Sequence, residues 1–328
     1  MRRLLSARRR HPTWGPLKLH WLLGPRSPSV RTLGRWLSLA GLVRRRLRRA
    51  RPGPSVPGPA RLVARRANDV WTIDFKGGFR TGDGARCAPL TVRDEVSSYV
   101  LAVRAVQEPS DRVVRRVLTR LFRRRGLPRA IRSDNGGPFG GDGALGLSRL
   151  SVWWLRLGIR VEFSRPASPQ DNAAHEQMHR VLKAETARPP SVNGRAQQRR
   201  FDRWCLLYNH RRPHFALQHQ TPAAHYHRSP RSWPVHLPAW HYPAAWLILR
   251  PGARGRAWWA GRQRVIGRAF AGERLGLQPR PQGIVAVYLG SHLIGTLHPG
   301  DPAGLRPARR PIRGGRELRP LPSPSPSL

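Results

Sequence analysis

Three carboxylates, Asp74, Asp134 and Glu176, sit where their surroundings make them candidates for holding divalent metal. Asp74 lies inside VWTIDFKGGF, a β-branched and aromatic run that reads as a strand. Asp134 follows a second short apolar strand in AIRSDNGGPF, and Glu176 belongs to NAAHEQMHRVLKAET, which has a helical pattern. Only 17 Asp and Glu stand against 61 Lys and Arg, so acids at strand ends and on a helix face ask for a reason. Hard carboxylate oxygens that hold Mg²⁺ or Mn²⁺ for phosphodiester chemistry supply one. Two such ions, roughly 4 Å apart, activate an attacking oxygen and stabilise a leaving one. In that arrangement Asp74 bridges both ions, while Asp134 and Glu176 hold one each.

Each acid alone has a plainer reading: a strand-edge residue, an Asp-Asn-Gly turn, or a complement to a helix dipole. The metal reading rests on the three falling into one expected cleft. Glu176, Arg180 and Lys183 follow i, i+4, i+7 and share a helix face, with Met178, Val181 and Leu182 on the other side. One helix would thus present a metal ligand and two phosphate-binding cations. Other acids compete less well. Asp94 and Glu95 read as a β-turn, Glu162 as an alternating residue of an outer strand, and Asp171 as a helix cap. His175, His179, His210 and His214 lack cysteine partners at zinc spacing. Of the tryptophan pairs, Trp153-Trp154 reads as core, whereas Trp258-Trp259 is open between core and base stacking.

The elements that must position these residues read in order. VWTIDF, APLTVRD and SYVLAVRAV are three strands, followed by the amphipathic helix SDRVVRRVLTRLFRRRG, with Ser110 as N-cap and Gly126 as stop. A strand through Ile131, the helix LSRLSVWWLRLG, the strand IRVEFSR and the Glu176 helix complete an α/β arrangement around a mixed five-stranded sheet. The helix QQRRFDRWCLLYNHRRPH extends this region, so the core is placed at residues 68–228. Before it, residues 11–49 read as two short helices with Arg31 and Arg35 one turn apart. The inward face of the second is Leu33, Trp36, Leu37 and Leu39. A partial helix-turn-helix for DNA binding and an ordinary helical hairpin fit this pattern equally. Residues 50–67 form a basic, Pro-broken linker. Residues 232–300 carry short strands between glycine turns, suggesting a small DNA-binding β-barrel, and 301–328 read as a disordered tail.

Composition narrows the partners. The net charge of +44, with no acid before Asp69, points to a polyanion and hence to nucleic acid. A general excess of arginine could account for part of that charge but not for the acid-free stretch. Cys87 and Cys205 make neither a disulfide framework nor a zinc half-site, which fits a reducing cytosol. No run of 18 apolar residues suggests a membrane span. MRRLLSARRR is Arg-rich like a transit peptide but lacks the apolar core of a secretion signal.

WTIDFKGGF, LTVRD, IRSDNGGPF, SPQDNAAHEQMHRVLKAET and YNHRRPHFALQHQTPAAHY, with HPTWGPLKLHWLL and VRTLGRWLSLAGLV ahead of them, resemble the DDE-type integrase-core transposases of bacterial insertion sequences. The resemblance covers most of residues 11–228. It implies a ribonuclease-H-like core similar to retroviral integrase, with Asp74, Asp134 and Glu176 as the metal-binding triad. It further implies that Arg180 and Lys183 follow the DNA backbone. The activity implied is Mg²⁺- or Mn²⁺-dependent DNA cleavage and strand transfer by two ions. The implied setting is a homo-oligomer on element ends and target DNA in the bacterial cytoplasm. Three departures stand out. Asn172-Ala173 replaces the usual Asn-Gly, and the 42 positions from Asp134 to Glu176 include the insertion GGDGALGLSRL. Only ten residues precede the HPTWG segment, where family members carry a further helix-turn-helix, so a truncated N-terminus is an expectation.

The rival from another class is a catalytically inactive, truncated DNA-binding remnant of an insertion element, favoured by Ala173 and the short N-terminus. Retention of all three carboxylates with Arg180 and Lys183 favours the enzyme. An RNA-binding basic protein explains the charge but not the triad. A ribonuclease H proper would want a further carboxylate and no flanking DNA-binding segments.

Overall fold

The computed structural model describes residues 1–43, 62–141, 143–164 and 173–308. The helices are α1 (Arg2–Arg10), α2 (Pro16–Leu23), α3 (Val30–Leu39), α4 (Asp111–Arg125), α5 (Arg149–Arg156), α6 (Ala173–Thr186), α7 (Gly194–His210) and α8 (Pro222–His225). The first six strands are β1 (Val70–Phe75), β2 (Phe79–Arg80), β3 (Arg86–Asp94), β4 (Val100–Val106), β5 (Ala130–Ser133) and β6 (Arg160–Phe163). These six belong to one mixed sheet; the two-residue β2 is the strand beyond the five expected. Seven more follow: β7 (Leu247–Leu249), β8 (Arg256–Trp259), β9 (Arg262–Val265), β10 (Leu275–Pro279), β11 (Val285–Leu289), β12 (His292–Leu297) and β13 (Arg306–Pro307).

The chain divides into two compact units. One joins Met1–Val56, Phe75–Glu108 and Pro169–His227; the other joins Pro57–Asp74, Pro109–Ser168 and Arg228–Leu328.

In the first unit, β3 pairs antiparallel with β4 and with the short β2. Helices α6 and α7 contribute Met178, Leu182, Phe201, Trp204 and Tyr208 to a core that includes Cys87, Val100 and Val103. Burial raises the Cys87 thiol to about 11 and Cys205 to about 12, so both are inert thiols at neutral pH. The N-terminal helices form a cluster of their own around Leu4, Ala7, Trp14, Leu19, Leu33 and Leu37. Ser29 caps α3 by accepting the Thr32 N–H at 3.2 Å, and Pro16 opens α2, where a missing N–H costs nothing. The arginine-rich start is helix α1, and its Leu4 and Ala7, three residues apart, face the cluster. One expectation is corrected here. Leu39, expected inside, is 76 % exposed because α3 ends there and turns away at Gly41.

In the second unit, β1, β5 and β6 pair in parallel, with Thr72 opposite Arg132 and Arg132 opposite Glu162. The run Val70–Ile73 is buried throughout, as a parallel strand covered on both faces requires. Helix α4 begins at Ser110, whose hydroxyl accepts the Val113 N–H, and ends at Gly126 with φ 76°, as its sequence implied. Phe122 on α4 packs between Trp71 and Trp153, with centroids 5.8 and 5.6 Å away, so Trp153 is core. The C-terminal strands form an open antiparallel sheet, β13-β12-β11-β10-β7, and a separate ribbon, β8-β9. Among the described residues they do not close into the expected barrel. Two strands are spent on the ribbon, and no pairing joins β13 to β7. The sheet also takes in residues 306 and 307, which had been assigned to a disordered tail. Most of the basic linker and residues 309–328 lie outside the described residues.

Candidate active site

Strand register bears on Asp74 and Asp134. Val70, Trp71 and Thr72 of β1 face Ala130, Ile131 and Arg132 of β5. The pairing ends there; continued two residues further, past the end of β5, the same register would set Asp74 beside Asp134. Parallel neighbours lie about 4.8 Å apart and equivalent residues point to the same face, so the two carboxylates would share one strand edge. Asp74 is half-buried near the end of its strand, and Asp134 is exposed just beyond β5.

A glycine-rich turn holds Asp134 in place. The Gly136 N–H donates to Asp134 Oδ1 at 3.2 Å, and Asn135 Nδ2 donates to the Ser164 carbonyl at 2.9 Å. Gly140 folds back so closely that a Cβ there would lie 2.4 Å from the Asn135 carbonyl oxygen. Glycine is therefore required at that close approach. Buried Asn135 Oδ1 has no hydrogen-bond partner among the described residues.

Glu176 lies on the exposed side of α6, with Arg180 also exposed and Lys183 half-buried one and two turns on. The opposite side buries His175, Met178, His179 and Leu182. Thr91 of β3 anchors that side, with Oγ1 2.7 Å from both His175 Nε2 and His179 Nε2. The hydroxyl has one proton to give, so at least one ring donates its Nε2–H to it. Burial, then the neighbouring imidazole and Arg93, holds His175 well below the usual histidine range. Burial, then Lys76, pushes His179 down to about 3. Both are neutral at physiological pH, so they serve as a hydrogen-bonded clamp under the helix rather than as cations. Sequence reasoning had weighed these two histidines for zinc; their i, i+4 spacing on the buried face was the missed signal.

Glu162 does lie on an outer strand, β6, but it does not follow an alternating pattern of burial there. It is buried, takes Arg132 Nη2 at 2.9 Å and Arg160 Nη2 at 3.0 Å, and accepts the Leu62 N–H at 2.8 Å. Asp94 does cap its turn, accepting the Ser97 N–H at 2.8 Å. Asp171 and Asn172 lie outside the described residues. Arg31 and Arg35 are exposed one turn apart on α3. Asp74 and Asp134 belong to the second unit and Glu176 to the first. Among the described residues no group of three or more His, Cys, Asp or Glu forms a ready metal cluster. No helix among them is long and apolar enough to cross a membrane.

An integrase core domain family matches residues 64–169, and a second integrase core domain family matches 157–222. Together the two matches extend over residues 64–222, just under half of the chain. The matched stretches span β1 through α7, and hence all three acids. Two relatives are insertion-element proteins. The IS407 uncharacterized 31.7 kDa protein of Burkholderia multivorans is 30 % identical over 186 residues, 56 % of this chain and 64 % of the relative. The IS476 uncharacterized 39.2 kDa protein of Xanthomonas euvesicatoria is 29 % identical over 225 residues, 67 % of this chain and 62 % of the relative. The alignments thus span less than two thirds of either relative. Among solved structures, the core is similar to the HTLV-2 integrase catalytic core domain in complex with magnesium. That match has TM-score 0.39 and 13 % identity, covering 49 % of this chain and 98 % of that one. The chain is also similar to the simian T-cell lymphotropic virus intasome in complex with a PP2A regulatory subunit. There the TM-score is 0.44 and the identity 15 %, over 85 % of this chain and 94 % of that one.

Proposed function

We propose that this integrase-core protein is the transposase of a bacterial insertion sequence, catalysing metal-dependent DNA cleavage and strand transfer. What supports the reading is the parallel pairing of β1 with β5, whose register, continued past Thr72 and Arg132, points to Asp74 and Asp134, within the stretch that matches an integrase core family. Glu176 is the third acid, on the solvent side of α6. The donor set suits Mg²⁺ or Mn²⁺, because carboxylate oxygens are hard ligands and the exposure of Asp134 and Glu176 leaves room for water and substrate phosphates. Asp74, Asp134 and Glu176 would hold two ions, which activate the attacking oxygen and stabilise the leaving one when bound.

The chain's own groups supply the rest. Arg180 and Lys183 continue the Glu176 face along α6 and neutralise backbone phosphates of the DNA end. A water or a DNA 3′-hydroxyl attacks phosphorus in line, the P–O bond to the leaving 3′-oxygen breaks, and that oxygen takes up a proton. No covalent enzyme intermediate is formed. Arg31 and Arg35 of α3 contact further phosphates in the element end. Two ends and a target must be handled together, which calls for a homo-oligomer on DNA, acting in the bacterial cytoplasm at the nucleoid.

The test uses a branched DNA that mimics a strand-transfer product, with Mg²⁺ or Mn²⁺, because its resolution needs little end recognition. The wild type resolves it only with metal, and the Glu176→Gln variant does not. Salt-sensitive binding without product would instead identify a DNA-binding remnant.

A further inference from the structure

The segment YNHRRPHFALQH, residues 208–219, has no part in the chemistry above, yet the N-terminal helices rest on it. Arg212 is 5 % exposed, and its guanidinium lies 5.7 Å from the centroids of both Trp14 and Tyr208. Its Nη1 donates to Glu185 Oε1 and to Thr13 Oγ1, each at 3.3 Å. The Thr13 hydroxyl donates to the same carboxylate oxygen, and Trp204 Nε1 donates to Glu185 Oε2 at 2.7 Å. Glu185 closes the last turn of α6, the helix that bears Glu176.

One further contact comes from α2, beside a lysine whose charge the same surroundings oppose. Trp21 stacks on His219 with ring centroids 5.2 Å apart. Lys18 is driven down to about 8 by burial and then by the Arg212 guanidinium. The N-terminal side of the seat is itself braced, because Arg8 donates to the Trp14 carbonyl and, at 2.8 Å, to the Leu42 carbonyl. One cation–π contact from Arg212 to Trp14, the Thr13 hydrogen bonds with Arg212 and Glu185, and the Trp21–His219 stack therefore join residues 13–21 to the end of α6 and the segment after α7. A merely tethered DNA-binding segment would need none of these.

We propose that residues 208–219 are a docking seat, with Arg212 and Glu185 as positioning residues. They fix the N-terminal helices, and with them Arg31 and Arg35, on the α6 framework as one DNA-binding body. The consequence for binding follows from preorganisation. Cations held at a fixed distance from the Glu176 face add to affinity more than the same cations on a free tether. This inference rests on the transposase reading for its DNA partner.

The experiment is a double-mutant cycle on full-length protein, read as affinity for branched DNA with duplex arms long enough to reach both surfaces. In the wild type, Arg31→Ala with Arg35→Ala weakens binding at least tenfold. In an Arg212→Lys background, which keeps the charge but loses the planar stacking, the same pair costs less than twofold. Thr13→Val, which removes only a hydroxyl, gives an intermediate coupling and guards against an Arg212 variant that does not fold. In steady state Arg212→Lys raises KM at least fivefold while kcat stays within twofold, a split that general destabilisation would not produce. Additive losses, or kcat falling in step with thermal stability, would overturn the docking role. A wild type that binds but does not resolve the branch removes the transposase reading and leaves the affinity cycle to decide the seat.

Discussion

Glu162 and Asp134 flank Arg132 on the same small parallel sheet, yet they are opposite kinds of acid. On the outermost strand, β6, Glu162 is buried between two guanidinium groups and a backbone N–H. At the carboxyl edge of the strands, just past β5, Asp134 stands exposed and accepts a backbone N–H from its own turn. The difference teaches where this chain spends its few acids. Glu162 in the interior and Glu185 at the N-terminal seat neutralise buried arginine and build structure. The acids at the strand edge and on the outer face of α6 are the ones that the proposed function assigns to metal.

The largest expected effect lies at the edge. Asp74→Asn, Asp134→Asn and Glu176→Gln each lower branch resolution by on the order of 10³-fold or more, as loss of metal-held charge at a reacting phosphate implies. DNA affinity and unfolding free energy stay near wild type, read by filter binding and urea titration. Unchanged activity in any of the three removes that residue from the site. The interior behaves in the opposite way. Glu162→Gln leaves Arg132 and Arg160 buried beside a neutral group and costs about 3 kcal/mol of stability. Activity is lost only as the fold is lost, so a stable but inactive Glu162→Gln would erase the distinction.

Gly140→Ala tests the turn between the two regions. Its Cβ would lie 2.4 Å from the Asn135 carbonyl oxygen, so the Asp134 loop must move. Resolution falls at least tenfold, with a stability loss of about 1–3 kcal/mol in the same urea titration. The acid response of the fold comes from its buried histidines, His175 and His179 on α6 and two others away from it. Burial, then Lys18 and Arg212, lowers His214 to about 3, and burial lowers His292 to about 4. Both start from 6.5. The unfolded chain therefore takes up protons near pH 6.5 while the folded chain does not until pH 3 to 4, so stability falls as pH drops through that window. The loss reaches about 1 kcal/mol per group by pH 5.5 and is absent above pH 7. His214→Gln flattens the slope. The smallest effect belongs to Arg180→Ala and Lys183→Ala, which weaken DNA binding a few-fold each and reduce its logarithmic salt slope by about one.

Much of this was legible in the chain because it depends on short-range pattern. The period-2 and period-3.6 runs placed β1, α4, β5 and α6, and helical spacing alone put Glu176, Arg180 and Lys183 opposite Met178 and Leu182. What stayed hidden depends on pairing across long stretches of sequence. Glu162 read as outward because alternation was assumed, whereas a parallel strand is covered on both faces. The Thr91 clamp joins residues more than 80 positions apart, and the Thr13–Glu185 contact spans 172. Helix α1 was masked by arginines that outnumber its two buried positions, and the C-terminal strands gave no sign of which would pair.

The central claim, that the edge acids hold divalent metal and the interior acids do not, is tested most directly by Mn²⁺ titration followed by electron paramagnetic resonance. Wild type, an Asp74→Asn/Asp134→Asn double variant and Glu162→Gln are compared on protein bound to branched DNA. The account predicts saturable binding in the wild type, retained in folded Glu162→Gln and lost in the double variant. Equal binding in the double variant and the wild type would contradict it.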